Sequence, residues 1–135
     1  MRPLVLLCVL ALSLTACGAE ARDSAEEFTG DERAVAAAVE ELESAARDGD
    51  SEAVCTKLLA EALLTKLEQR DTTCETAVKD AFDDADSMDI TVDEVTISGD
   101  TARAEVTSGT GANEKSDTVE LERVGAGWRI SSLQE

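Results

Sequence analysis

Two hydrophobic periods divide this chain. In its first half apolar positions recur every three or four residues, and from residue 90 onward they alternate. Val35, Val39, Leu42 and Ala46 form one helical stripe, with Glu40, Glu41, Glu43 and Arg47 on the other faces. Thr29-Gly30-Asp31-Glu32 has the spacing of a capping box and predicts where that helix starts. Asp48-Gly49-Asp50 predicts its end, with Gly49 in the left-handed position and Asp50 capping the next helix. Residues 51–59 predict a short second helix with Val54, Leu58 and Cys55 turned inward. Residues 60–70 repeat the pattern with Leu63, Leu64 and Leu67. Thr72-Thr73-Cys74-Glu75 is a second capping-box spacing, followed by the stripe Val78, Ala81 and Phe82 and then an acidic turn over 83–89.

Ile90 and Val92 alternate, and Val95 and Ile97 alternate in the opposite phase. The extra residue at Asp93-Glu94 predicts a β-bulge. Ser98-Gly99-Asp100 predicts a turn, and Ala102, Ala104 and Val106 the inner face of a second strand. After a loop over 109–114, Val119 and Leu121 mark a third strand. Gly125-Ala126-Gly127 makes a turn into a fourth strand with Trp128, Ile130 and Leu133. Trp128 alternates with Ile130, so it reads as core rather than as a ligand platform. Short connections throughout predict an antiparallel meander. The fold class is α+β: N-terminal helices packed on a bent four-stranded antiparallel sheet.

The first residues have a different character. Arg2 precedes an unbroken apolar run over 4–12, too short to span a bilayer but the length of a secretory signal core. Leu14-Thr15-Ala16-Cys17 follows and resembles the lipobox of bacterial lipoproteins. That resemblance implies a signal peptide over 1–16, cleavage before Cys17 and acylation of its thiol. The alternative is an ordinary signal peptide cut after Ala16, with Cys17 free. Residues 17–28 are small, polar and acidic and read as a flexible tether, leaving 29–135 as the domain.

If Cys8 leaves with the signal and Cys17 carries lipid, Cys55 and Cys74 remain in an oxidising compartment. A disulfide between them is expected. A metal site is the rival, but the chain has no histidine, and two thiolates alone make a poor zinc site. A catalytic thiol lacks its histidine for the same reason. The chain carries 12 basic and 30 acidic residues, a net charge of −18, which disfavours nucleic acid and anionic lipid surfaces as partners. The Asp83-Asp84-Ala85-Asp86 run lacks the ligand spacing and glycine of a calcium loop. Gly109-Thr110-Gly111 and Gly125-Ala126-Gly127 lack the setting of a nucleotide loop. Glu105 and Glu120 read as part of a solvated sheet face shared with Arg103, Arg123 and Arg129. No metal or cofactor is expected.

The order of elements, the Gly49-Asp50 junction and the ending Gly127-Trp128-Arg129-Ile130 resemble the nuclear transport factor 2-like superfamily, the cystatin-like cone. The resemblance covers about residues 31–135. The short sheet departs from it by leaving little room for a deep cone. Enzymes similar to that family, ketosteroid isomerases and polyketide cyclases, work in a pocket between sheet and helices with Asp, His or Tyr groups. This chain has neither histidine nor tyrosine. The expected function is a membrane-anchored, non-catalytic lipoprotein facing outside the cytoplasm that binds a protein partner or a small apolar ligand. The alternative is a small or degenerate enzyme using a buried Asp or Glu. A pocket is expected among Val35, Val39, Leu42, Ile90, Val92, Ala102, Ala104, Val106, Val119, Leu121, Trp128 and Ile130, unless close packing fills it.

Overall fold

The computed structural model describes residues 24–85 and 88–134. Residues 1–16, expected to be a signal peptide, and Cys17 lie outside the described residues. The folded body begins earlier than residue 29, with a 3-10 turn over Ser24–Glu27. Ala25 is buried there, and Phe28 packs against the core. Glu40 holds the turn, accepting from the Ser24 hydroxyl at 2.9 Å and the Ala25 N–H at 2.7 Å. The Ser24 oxygen in turn accepts from the Val92 N–H at 3.1 Å. The stretch 24–28 is therefore not tether: it has apolar surface to bury and a carboxylate to satisfy its free donors.

Helix α1 spans Gly30–Asp48. Thr29 stands at its cap position, but its side chain makes no capping hydrogen bond, so the capping box is not formed. The helix closes as predicted. Gly49 is left-handed at φ 68°, its N–H donates to Ala46, and the Asp50 N–H donates to Ala45 at 2.8 Å, which is a Schellman motif. The buried positions are Val35, Ala36, Val39, Glu43 and Ala45, while Leu42 and Ala46 are half-buried. The inward face is thus rotated from the predicted stripe. The N-terminal turn packs along the flank of α1, and Glu43 sits against the start of the sheet.

The Asp50 side chain accepts from the Ala53 N–H at 2.9 Å and caps α2, Ser51–Ala53. That helix widens into a π turn over Val54–Leu58. Helix α3 is Glu61–Glu68 and helix α4 is Cys74–Asp84. The cap of α4 is Thr73 rather than Thr72, accepting from the Thr76 N–H at 3.3 Å. Cys55 and Cys74 are joined by a disulfide with 5.9 Å between their α-carbons, tying the π turn to the first residue of α4.

The strands are β1 Ile90–Ser98, β2 Thr101–Ser108, β3 Lys115–Val124 and β4 Gly127–Gln134, in the order β1-β2-β3-β4 and all antiparallel. The pairing skips Asp93, the predicted bulge. A second bulge leaves Ser131 unpaired in β4. Both sheet edges are covered in part. Ser24 meets Val92 at one, and at the other the Ala60 N–H donates to the Ile130 carbonyl at 2.8 Å beside a bridge from Leu59. The core lies between α1, the π turn and the inner sheet face. Val35, Ala36, Val39, Val54, Ala60 and Ala104 are wholly excluded from solvent, and Leu121 and Ile130 nearly so. Leu133, the last apolar position read in the fourth strand, is 60% exposed at the sheet's end.

Replacing both Cys55 and Cys74 by Ala is expected to lower stability by about 3 kcal/mol, because a closed loop of this length restricts the unfolded chain by that amount. Urea unfolding with and without reductant measures it. A midpoint that does not move on reduction contradicts the bond's stabilising role.

Candidate functional site

The concave side of the sheet has a closed end and an open end. At the closed end α1 begins. Alternation from Val119 and Leu121 turns Arg123 to this inner side, not to the solvated outer face where the polar pattern put it. Its guanidinium lies 4.4 Å from the Trp128 ring centroid and pairs with Asp31 in the first turn of α1 at 2.8 Å. A cation over the indole face and a carboxylate at a helix start are both favourable placements. They seal the core here and leave Trp128 buried as packing.

At the open end α1 and the sheet diverge, and a cavity of about 280 Å³ lies between them. Leu42 and Ala46 on α1, Phe82 and Ala85 at the end of α4, Met88, and Ile90, Val106, Val119 and Leu133 on the sheet make its wall apolar. Ser108, Thr118 and Asp117 bring the polar atoms. Asp117 is opposite Val106 in the β2–β3 register. No lysine or arginine lines the cavity.

Of the residues expected to line a pocket, Leu42, Ile90, Val106 and Val119 do so. Val35, Val39, Val92, Ala102, Ala104, Leu121, Trp128 and Ile130 are instead buried in the packed core. Sequence reasoning missed Ala46, Phe82, Ala85, Met88, Asp117 and Leu133 as lining. Phe82 and Leu133 carried a signal, since each ends an apolar pattern beyond what the core needs. Cys55 and Cys74 brace the far side of the helical layer. Cys17 lies outside the described residues.

A larger depression of about 420 Å³ lies along Thr96, Ser98, Thr101, Arg103, Glu120 and Ser131, and is bordered also by Ala102 and Leu121 from the expected lining. Its polar border is made of hydroxyls and an Arg103–Glu120 ion pair at 2.9 Å. Glu105 stands opposite Thr118 rather than beside Glu120, so the two carboxylates do not form a working pair. Among the described residues no group of His, Cys, Asp and Glu is arranged to hold a metal ion.

Beside the cavity mouth, Glu43 is buried near the start of β1. Burial raises its pKa above the ordinary carboxylate value. The neighbouring Arg47 and the Ile90 N–H oppose the rise, and Asp89 and Glu40 add to it. Arg47 pairs with Glu43 and also reaches Asp89 at 2.6 Å.

The sheet and helix geometry has a counterpart among solved structures. A de novo designed NTF2 fold protein, NT-9, matches with a TM-score of 0.54 over 78% of this chain and 87% of that one. The chain has the nuclear transport factor 2 fold. Identity to that designed protein is 17%, so the likeness carries the fold and not its chemistry. No protein-family model and no curated protein matches the chain. Within this fold the cavity occupies the open mouth of the cone between α1, α4 and the sheet.

Two predictions follow from this geometry. Ala46→Leu projects into the cavity and is expected to change stability by less than about 0.5 kcal/mol, whereas Ala104→Leu overpacks the core and costs about 1–3 kcal/mol. Urea midpoints compare them, and equal losses would mean that no space exists at Ala46. Glu43 sets a pH dependence. Its folded-state pKa is raised, so the native state holds the proton more tightly than the unfolded chain. Its contribution is most favourable below the ordinary carboxylate pKa and is lost as pH rises through the raised value. The stability of wild type relative to Glu43→Gln should therefore improve as pH falls from 7 towards 4.5, while a constant difference across that range contradicts the raised value.

Proposed function

We propose that this protein is a lipid-tethered binding domain, exported and held at the membrane through Cys17, that takes a small, largely apolar molecule into the mouth of its cone. The carrying observation is the apolar cavity with its sparse polar groups, the usual composition of a small-molecule site. The tether rests on the apolar run over 4–12 followed by Leu14-Thr15-Ala16-Cys17. Among the described residues no helix is long and apolar enough to cross a membrane. Acidic charge of −18 favours solubility and disfavours nucleic acid as a partner.

One observation favours a second reading. Asp117 places a half-buried carboxylate on the wall of this apolar cavity, where it can act as a general base. The chain has no histidine or tyrosine to act as its acid partner or to polarise a carbonyl, and the binding role is preferred for that reason.

Expression of the full chain in a bacterial host tests both parts. Cys17→Ser is expected to move the protein from the membrane fraction to the soluble exported fraction or to stall its processing. Unchanged membrane association and cleavage contradict the tether. Native mass spectrometry of the purified protein is expected to show a co-purifying small molecule that Ala46→Leu excludes. Turnover on ester, ketosteroid or epoxide substrates that disappears in Asp117→Asn overturns the non-catalytic reading.

A further inference from the structure

The cavity wall is chemically one-sided. Among the described lining residues Asp117 is the only charged one, and Ser108 and Thr118 are the other polar ones. The Asp117 carboxylate takes part in none of the hydrogen bonds or ion pairs found among the described residues. Lys115, two residues earlier on the same strand, is exposed and does not line the cavity. Arg47 follows the lining residue Ala46, but it is engaged by both Glu43 and Asp89. Asp83 and Asp84 stand exposed at the end of α4, between the lining residues Phe82 and Ala85. The mouth of the cone therefore combines an apolar wall with a surplus of negative charge.

We infer that the cavity selects an organic cation: a small apolar body carrying an ammonium group, seated with its charge on Asp117. This rests on the binding role proposed above and names the chemical class of its ligand. A neutral molecule fills the apolar wall equally well but leaves the half-buried Asp117 without a partner. An anion sets like charges together beside the half-buried Asp117. An ammonium group donates up to three hydrogen bonds, and the Asp117 carboxylate offers acceptors on the cavity wall, on the sheet face it shares with Ser108. The acidic field of the whole chain also draws cations towards the mouth.

Three ligands of one shape separate the possibilities: phenylbutylamine, phenylbutanol and phenylbutyrate, titrated calorimetrically into the purified wild type, Asp117→Asn, Asp117→Glu and Ala46→Leu. A charge-assisted contact at a half-exposed carboxylate is expected to make the amine bind about tenfold tighter than the alcohol. The preference should vanish in Asp117→Asn, persist in part in Asp117→Glu, and weaken with salt. Retained alcohol binding in Asp117→Asn shows that the cavity is intact. Equal affinities for amine and alcohol in wild type, an amine preference that survives Asp117→Asn, or tightest binding of the carboxylate each overturns the cation inference while leaving a small-molecule site in place. Failure of all three ligands to bind wild type overturns the binding role itself, and the inference with it.

Discussion

The close seating of α1 on the sheet is the contact on which the rest depends. Ala36 on the helix and Ala102 and Ala104 on β2 are buried in one cluster, so small side chains are present on both layers of the core. Val35 and Val39 complete the contact without residual exposure. Small residues let backbones approach and leave no room for a deep central cone. The cavity is the complement of that choice. Where α1 carries Leu42 and Ala46 instead, the layers part, and the space left over is shifted to one end of the sheet.

Polar interactions fix the two ends of the seated helix. Arg123 joins its first turn to Trp128 and the narrow end of the sheet. Near its last turn Glu43 and Arg47 meet the start of β1 and Asp89. The Arg123–Asp31 and Arg47–Asp89 pairs each have an exposed partner, and such pairs add little stability individually. Their effect here is positional: a helix held at both ends cannot slide along its apolar contact, and the open mouth keeps its shape.

The sheet was the most legible part of the chain because a period of two is strict. The slip between Val92 and Val95 announced the bulge at Asp93. The same sign was present in β4, where Ile130 and Leu133 stand three apart, yet Ser131 and Ser132 are both polar and hid the phase change. Helix boundaries followed from Gly49 and Asp50, while the capping boxes were less informative, because Thr29 forms no cap bond and Thr73 acts in place of Thr72. Glu43 was assigned outward by polarity alone. Only its tertiary partners explain its burial. The cavity was half legible for the same reason. Leu42, Ile90, Val106 and Val119 belong to periodic elements, whereas Phe82, Ala85 and Met88 arrive there through the direction in which α4 leaves the disulfide. That direction is not written in any local pattern.

The N-terminal turn gives the fold a mechanical address. Tension applied ahead of Ser24 would meet the domain at the Ser24 hydroxyl, which bonds both Glu40 on α1 and the Val92 N–H at the sheet edge, and at the Ala25 N–H, which also bonds Glu40. Such a load falls at once on α1 through Glu40 and on the edge of β1 through Val92. The Cys55–Cys74 linkage lies outside this path and cannot share the strain. The turn is thus a short peripheral latch of three hydrogen bonds, set apart from the cavity at the open end of the sheet.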